Sequence, residues 1–420
     1  METKEQRLPA ALKHTLTYLV SFLFWVLIGL ILGAVGGVVG AAFSLSIGAA
    51  TDIRSANPWI IWLLPLAGVL IAYLYHLRSL RPTDTNGVIL ALQRPGAIPA
   101  ITAPLIFVST VLTHLFGGSA GREGAALQIG GVLGSVLAKY CKAREFERQS
   151  IIMCGMSAVF AALFGTPLAA AVFAMEVASV GILQFAAIVP CLTSAITAAN
   201  VARLLGAHAE AFPLHTLFAF DIRNIILVVV VAALVSVISI VYCVGLHRSE
   251  EILARIFPNH YVRIAAAGFA VAVLTWLLGT TDYNGAGTHI IERAMEGEAR
   301  PEAFAVKLLF TFLTAGSGYK GGEIVPAMFI GSTLGCTLAS LIGLDPTLGA
   351  AVGLAAMFCG SLNCPISTLL LAVELFGGEN ILFFAIVCAV SYMLSANHSL
   401  YHQQKILYSK LRPELIHKEN

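Results

Sequence analysis

Two glycine-rich segments hold the charged side chains of this sequence that are best placed for chemistry. GGSAGREG at 117–124 sets Arg122 beside Glu123, and KGGEIVP at 320–326 carries Glu323. Each segment leads into an apolar run typical of a helix, and the first N–H groups of a helix have no partner within it. Together with the helix dipole, those donors form a site for an anion. The sequence predicts two such helix starts, and a third at TNG, 85–87.

The composition indicates where these segments lie. Of the 420 residues 58% are hydrophobic and 11% charged, whereas a soluble domain carries about 25% charged residues. Apolar runs such as 222–246 and 262–279 match the roughly 20 residues that cross a bilayer as a helix. Other runs, including 125–138 and 324–343, are interrupted by Gly or Pro, which membranes tolerate only where protein or a polar cavity surrounds the break. We predict an all-α, multi-pass membrane protein, a single integral membrane domain over 1–420, with helices that stop part-way.

The remaining composition excludes several classes of protein. The net charge is +2, and the sequence contains no basic tract suited to nucleic acid. Its eight cysteines show no metal-ligand spacing. No motif for a cofactor is present. The basic segments at 139–148 and 408–420 are predicted to be cytoplasmic, since positive charge favours that side.

The two glutamates pose the question of what a negative side chain does beside an anion site. Glu123 could occupy the anion position itself, or take up a proton and swing away, and so exchange a proton for an anion. It could also cap the helix and pair with Arg122. Because ionisable groups within a membrane are functional by default, we favour proton handling for Glu123 and a structural role for Arg122. For Glu323, capping and proton handling are equally open.

A serine hydrolase is the remote alternative. Residues 117–121, GGSAG, fit the G-x-S-x-G pattern, with Ser119 as nucleophile and His114 or His289 as base. That motif normally joins a strand to a helix in a soluble α/β fold, which this sequence lacks. We therefore predict that the protein is not an enzyme.

The chain is an internal duplication of about 200 residues. Residues 118–138 align with 318–339 at an offset of 201, which superposes Gly130 on Gly331 and Gly134 on Gly335. Two further matches follow the same order: the segments that start at Ala161 and Ala355, and DTNG at 84–87 with DYNG at 282–285. The repeats are predicted at about 15–205 and 220–405. A duplicated bundle with broken helices is typical of a transporter whose site lies where the halves meet.

The second match contains a proline nine residues before a glutamate in both halves. The pairs are Pro167 with Glu176, and Pro365 with Glu374. Because the duplication keeps Glu176 and Glu374 in equivalent places, we interpret both as hydrogen-bonded structural carboxylates.

These ordered motifs resemble the CLC family of anion channels and proton-coupled antiporters. GREGAALQIGG is similar to the GREGP-type signature of that family, and FGTPLAAAVFAMEVA resembles the helix that follows that signature. GGEIVPAMFIG stands in the place of the family's GxFxP signature. SLYHQQ matches its pore tyrosine, which is Tyr401 here. The resemblance implies a homodimer with one pore per subunit, inverted halves, and Glu123 as the external gating glutamate. It implies an anion cradle formed by Asn86, Gly121, Gly124, Ala125, Gly322, Ile324, Val325 and Tyr401.

Departures from the family pattern point to one branch. DTNGVI stands where the family usually has a serine-bearing GSGIP segment. Asn86, within about three positions, is the expected replacement for that serine. Val177 stands where the family's internal proton-transfer glutamate would fall. Glu323 replaces an apolar residue, and cytoplasmic CBS domains are absent. This set resembles the bacterial fluoride-exporting branch, which lacks the serine and the internal glutamate and carries GGE-x-x-P. A threonine is often found in that branch where this sequence has Val325.

The sequence is thus expected to encode a fluoride/proton antiporter of the bacterial cell membrane. Glu123 and Glu323 would handle protons, and fluoride, protons and membrane lipid would be its partners. A chloride/proton antiporter or chloride channel of the same fold remains the alternative, with chloride as the anion.

Overall fold

The computed structural model describes residues 10–77, 85–94, 96, 98–214, 216–412 and 414. Within them the chain forms sixteen α helices, two short 3-10 helices (Pro58–Leu63 and Phe185–Ala187) and two strands. The α helices are α1 (Ala10–Ala56), α2 (Leu64–Leu77), α3 (Thr85–Gln93), α4 (Thr102–Leu115), α5 (Glu123–Tyr140), α6 (Glu145–Phe164), α7 (Pro167–Glu176), α8 (Ile188–Leu204), α9 (Ile222–Ile256), α10 (His260–Leu278), α11 (Thr288–Met295), α12 (Ala303–Ser317), α13 (Ile324–Ile342), α14 (Pro346–Leu362), α15 (Pro365–Phe376) and α16 (Ile381–Leu394). The strands β1 (Ser179–Val180) and β2 (Lys405–Ile406) pair in parallel.

The helices confirm the prediction of a multi-pass membrane protein with partial helices. In the described chain, six segments are long and apolar enough to cross a membrane: His14–Ala56, Pro58–Leu77, Phe185–Leu204, Ile222–Ile256, His260–Leu278 and Ile324–Ile342. By contrast, α7 and α15 have 10 and 12 residues. At a rise of about 1.5 Å per residue they are too short to span a hydrocarbon core of about 30 Å.

Local sequence accounts for several helix ends. The side chains of Asp221, Asn259 and Asp345 accept hydrogen bonds from the first turns of α9, α10 and α14. These bonds satisfy N–H groups that the helix leaves without partners. α6 and α13 end at Gly165 and Gly343, whose φ angles of 72° and 76° are left-handed and favour glycine.

Helix α6 starts from the basic segment 139–148. The backbone N–H of Arg144 donates to Oε2 of Glu147 at 2.9 Å, and the Arg144 side chain bonds the same carboxylate. Those side-chain hydrogen bonds hold the pKa of the Glu147 carboxyl below its usual value. The segment therefore forms an exposed, charged turn between α5 and α6, and its cytoplasmic placement stays a prediction.

Close glycine contacts join α5 to α6 and α13 to α14. A Cβ at Gly130 would lie 2.8 Å from the Cα of Met156, and one at Gly335 would lie 2.8 Å from the Cα of Gly353. Small residues allow helix backbones to approach in a membrane, where apolar side chains alone give little preference for protein over lipid. The duplicated glycines thus hold together equivalent helix pairs in the two halves.

The two halves have opposite orientations. α5 ends at the basic segment 139–148, and α6 returns from it to Phe164, whose carbonyl accepts from Glu210 N–H at 3.1 Å. The segment after α8 that carries Glu210 leads into α9, where Arg223 donates to the carbonyl of Gly343 at 3.0 Å. Gly343 ends α13, so α13 ends on the side opposite to the end of α5. This arrangement agrees with the inverted repeats expected for the fold.

Glu176 and Glu374 cap each other's helices. Glu374 on α15 accepts from Leu168 N–H at 2.9 Å and Ala169 N–H at 2.8 Å, at the start of α7. Glu176, the last residue of α7, accepts from Ile366 and Ser367 N–H at 3.2 and 2.9 Å, at the start of α15. The prediction that both are hydrogen-bonded structural carboxylates is confirmed.

The Glu374→Ala variant should lose stability because two N–H groups at the start of α7 lose their acceptor. We expect a loss of about 1–3 kcal/mol, the usual range for leaving buried polar groups unpaired. The measurement is the melting temperature of the purified protein in detergent. Glu292→Ala, which changes an exposed glutamate on α11, is the control. Equal melting temperatures for the two variants would contradict the capping role.

Candidate functional site

The two glycine segments pair with each other at the centre of the molecule. Gly121 N–H donates to the Gly322 carbonyl at 2.6 Å, and Gly322 N–H donates to the Gly121 carbonyl at 2.7 Å. Directly after this antiparallel bridge, α5 begins at Glu123 and α13 begins at Ile324. The helix starts predicted as a matched pair therefore face one centre from opposite halves.

Glycine is required at this bridge by close approach. A Cβ at Gly322 would lie 2.6 Å from the backbone nitrogen of Gly124 and 3.0 Å from that of Glu123. A Cβ at Gly124 would lie 3.1 Å from the Cα of Gly322 and 3.3 Å from Oε2 of Glu323. Because Gly124 and Gly322 have no side chains, the backbone N–H groups of Glu123 and Gly124 lie close to the bridge, and the carboxylates of Glu123 and Glu323 flank it.

Glu123 folds back over the start of its own helix. Its side chain is completely buried. Oε2 accepts from Arg122 N–H at 2.8 Å, and Oε1 is buried without a hydrogen-bond partner among the described residues. The carboxylate thus lies at the helix start, where an anion would bind.

Arg122 connects the start of α5 with two other parts of the chain. Its Nη2 lies 2.5 Å from Oε1 of Glu210, and its Nη1 donates to Oγ of Ser44 at 3.1 Å. Its Nε is 3.8 Å from Oε1 of Glu123. These contacts agree with the structural role expected for Arg122. Sequence reasoning missed Glu210, which lies in an irregular segment with neither a motif nor a periodic pattern.

Glu323 is the residue just before α13, and it faces two cavities. Both are lined by Glu323 and Glu250; one, of about 140 Å³, also contacts Ser119 and Gln128, and the other, of about 100 Å³, contacts Thr85 and Tyr401. The Glu323 side chain is partly exposed, in contrast to Glu123. Its backbone carbonyl accepts from the hydroxyl of Tyr242, on α9, at 2.7 Å. Glu323 therefore has the access to water that proton handling would need.

A larger vestibule leads to the Tyr401 side of the site. It has a volume of about 440 Å³ and shares His247, Tyr401 and His402 with the 100 Å³ cavity. The vestibule and the smaller cavity, which Glu323 lines, thus adjoin each other at Tyr401.

Tyr401 lies between the carboxylates and the start of α3. It is buried, its hydroxyl lies beside the Thr85 side chain, and it is within electrostatic range of Glu323 and Glu123. Thr85, the first residue of α3, is buried beside it, and the Thr85 hydroxyl accepts from Nε2 of Gln128 at 3.1 Å. Tyr401 and the start of α3 are therefore brought together as predicted from sequence.

Asn86 lies at the edge of the same cavity. Its Oδ1 accepts from Gln403 N–H at 3.2 Å, and its side chain is only partly buried. The sequence predicted that Asn86, or a residue within about three positions of it, replaces the usual serine. Thr85 lies within that range, and its side chain is the buried one.

Four other positions are apolar and fully buried. Ala125 lines the 140 Å³ cavity, and Ile324 and Val325 lie in the first turn of α13. Side chains of this kind cannot donate to an anion, so any contribution to binding comes from the backbone at these positions. Val177 is buried too, and its carbonyl accepts from Nε2 of Gln404 at 2.9 Å.

The candidate hydrolase residues do not form a triad. The Ser119 hydroxyl pairs with that of Thr311 at 3.1 Å, and Nδ1 of His114 lies 2.9 Å from the Thr110 carbonyl. His289 is largely exposed and lies 3.5 Å from Asp282. In the described chain, groups of three or more side chains suited to a metal ion are also absent.

Inverted halves whose broken helices meet at a polar centre define a membrane protein that moves small ions. Residues 74–396 match the family described as voltage gated chloride channel. The chain belongs to this family, the CLC family. Because the family is not enzymatic, the hydrolase alternative is wrong.

Two curated relatives illustrate the range of similarity. A chloride/fluoride channel protein of Pseudomonas syringae pv. tomato is 35% identical over 379 residues, which cover 88% of this chain and 84% of the relative. A voltage-gated ClC-type chloride channel, ClcB, of Citrobacter koseri is 25% identical, over 83% of this chain and 86% of the relative.

Solved structures have the same fold. A CLC-type fluoride/proton antiporter superposes with a TM-score of 0.88 at 34% identity, over 91% of this chain and 98% of that one. A slow cyanobacterial Cl⁻/H⁺ antiporter superposes with a TM-score of 0.76 at 19% identity, over 88% and 94% of the two chains. At the lower identity, the likeness concerns the fold alone.

Gly322→Ala should disrupt the site, because the new methyl group would meet backbone nitrogens that cannot move aside independently. We expect a destabilisation of about 1–3 kcal/mol and a loss of anion efflux from liposomes containing the purified variant. Gly48→Ala is the matched control, since a Cβ at Gly48 meets nothing within 4 Å. Wild-type efflux and melting temperature for Gly322→Ala would contradict the need for close approach.

Proposed function

We propose that this protein is an antiporter that exports fluoride in exchange for protons across the cell membrane. The observation that carries the proposal is the convergence of two carboxylates, Glu123 and Glu323, on the N–H groups beside the Gly121–Gly322 bridge. The relatives described as a chloride/fluoride channel and as a fluoride/proton antiporter, 35% and 34% identical, support it.

We propose that Glu123 occupies the anion site and holds it closed. Its carboxylate accepts from the Arg122 N–H at the start of α5. Protonation would remove the charge that this contact favours, so the side chain could leave and an anion could take its place. When Glu123 gave up its proton on the other side of the barrier, it would compete for the same donors and expel the anion. Binding of the two ions at one position thereby links their movements.

Fluoride suits this site on chemical grounds. It is the smallest halide and the strongest hydrogen-bond acceptor, so it needs several N–H or O–H donors to replace its water. The bridge supplies close backbone N–H groups, Tyr401 and Thr85 supply hydroxyls, and a protonated glutamate supplies a further donor. We propose that Glu323 assists fluoride or proton passage from the vestibule side, and that Asn86 lines its entrance.

Chloride transport is the second candidate. Family members described as chloride channels and Cl⁻/H⁺ antiporters share the fold. In this chain, however, a carboxylate at Glu323 faces the cavities beside the bridge, and an additional negative charge disfavours an anion that does not bind protons. We therefore place chloride second.

We further propose a homodimer with one pathway in each subunit, embedded in bacterial plasma-membrane lipid. The family resemblance supports the dimer. Large apolar side chains on the outside of the helices, such as Leu66, Leu204 and Phe269, support lipid contact.

Fluoride-loaded liposomes containing the purified protein should release fluoride and take up protons together. A fluoride electrode and an internal pH dye measure the two ions, and the same preparation loaded with chloride gives the comparison. Fluoride release much faster than chloride release is expected. Equal rates would overturn fluoride export in favour of the second candidate, and fluoride release without proton uptake would indicate a channel.

Glu123→Gln should uncouple the two ions, since glutamine keeps the shape of the side chain but cannot carry a proton. Proton uptake should fall to the level of empty liposomes. Glu292→Gln, which changes an exposed glutamate of α11, is the control and should keep coupled exchange. Proton-coupled transport by Glu123→Gln would remove Glu123 from the proton path.

A further inference from the structure

Arg122 lies between two carboxylates and favours one of them. Its guanidinium is 2.5 Å from Oε1 of Glu210 but 3.8 Å from Oε1 of Glu123. The Arg122 and Glu210 side chains are only 14% and 13% exposed, whereas Glu123 is fully buried. Attraction between charges weakens with distance, and direct hydrogen bonds add to it only at the shorter separation. Arg122 is thus committed to Glu210, and Glu123 receives only the weaker part of its charge.

The backbone holds Glu210 in this position. Glu210 N–H donates to the carbonyl of Phe164 at the end of α6, at 3.1 Å. Two residues on, Phe212 N–H donates to Leu375 at 2.9 Å, and Leu214 N–H donates to Phe376 at 3.0 Å. The segment is fastened to the ends of α6 and α15, so the Glu210 carboxylate is presented to Arg122 by a fixed frame.

Other groups also act on Glu123 and Arg122. The charge of Glu210 acts on Glu123 directly as well as through Arg122, and both effects favour the protonated form. The Tyr401 hydroxyl faces Glu123 from the opposite half, where Glu323 lies beside Gly124. On Arg122, Ser44 of α1 accepts one hydrogen bond, and His114 of α4 is within electrostatic range. Glu210 is the carboxylate that contacts Arg122 most closely in the described chain. It is therefore the group that sets how strongly the Arg122 charge acts on Glu123.

We propose that Glu210 is a positioning residue that draws Arg122 away from Glu123 and so keeps the gating carboxylate ready to accept a proton. The inference rests on the proposed proton-coupled transport and adds the group that sets its pH range. Without the charge of Glu210, the guanidinium would turn to Glu123. A carboxylate paired with arginine holds its charge to lower pH, so the gate would stay closed until the medium became more acidic.

The test measures anion-coupled proton exchange of Glu210→Gln in liposomes as a function of pH. The half-maximal rate should move to lower pH by roughly one unit, the lower end of the effect of a neighbouring arginine on a carboxylate. In the Glu123→Gln background, Glu210→Gln should leave the pH dependence of the remaining anion flux unchanged. Glu379→Gln, an exposed carboxylate just after α15, is the control and should keep the wild-type profile.

Two results would overturn the inference: an unchanged pH profile in Glu210→Gln, or a shift that persists without the Glu123 carboxylate. A rate that falls equally at every pH indicates a structural role only and would also overturn it. If Glu210→Gln does not fold, Glu210→Asp keeps the charge but withdraws it by one methylene. It should give a smaller acidic shift, and an unchanged profile there counts against the proposal. If wild-type protein moves chloride as well as fluoride, fluoride export fails, but the shift can still be measured with chloride.

Discussion

The pair of hydrogen bonds between Gly121 and Gly322 is the constraint on which the rest of the site depends. It places the starts of α5 and α13, which come from opposite halves, at one centre. Each helix start brings N–H groups without partners inside the helix and the positive end of a dipole. Bringing two such ends together in a low-dielectric interior is unfavourable unless a negative group lies between them. The carboxylate of Glu123 supplies that negative group at the start of α5, and a bound anion in its place would supply it too.

The same residue type has two different states in this fold, and the hydrogen bonds explain the difference. In Glu176 and Glu374 each carboxylate oxygen accepts one backbone N–H. In Glu123 only Oε2 does so, while Oε1 is buried without a hydrogen-bond partner in the described chain and lies 3.8 Å from Nε of Arg122. A buried charge is stable when both oxygens are satisfied and costly when one is not. Glu176 and Glu374 therefore act as fixed caps, whereas Glu123 keeps one buried oxygen that no hydrogen bond holds in place.

Much of this architecture could be predicted from sequence, because it follows from composition and short-range pattern. The membrane class follows from apolar runs, and the paired helix starts follow from the duplicated glycines. The pairing of Gly121 with Gly322 could not be derived, since the repeat gives no relative placement of the halves.

Thr85 and Asn86 are adjacent, and only the three-dimensional path of α3 distinguishes the buried side chain from the one at the cavity edge. Tyr242 and Glu210 reach the site from a long helix and an irregular segment, without a local signal.

The site is asymmetric although the chain is duplicated. The helix starts and the glycine contacts recur in both halves, but the charges around them do not. Arg122 and Glu210 form an ion pair beside the start of α5, while Glu323, at the start of α13, lines the polar cavities. Equivalent backbone in the two halves thus carries unequal side chains. The carboxylate at the start of α5 is buried beside an arginine, and the one at the start of α13 faces cavities. The proposed exchange of a proton for an anion depends on this difference.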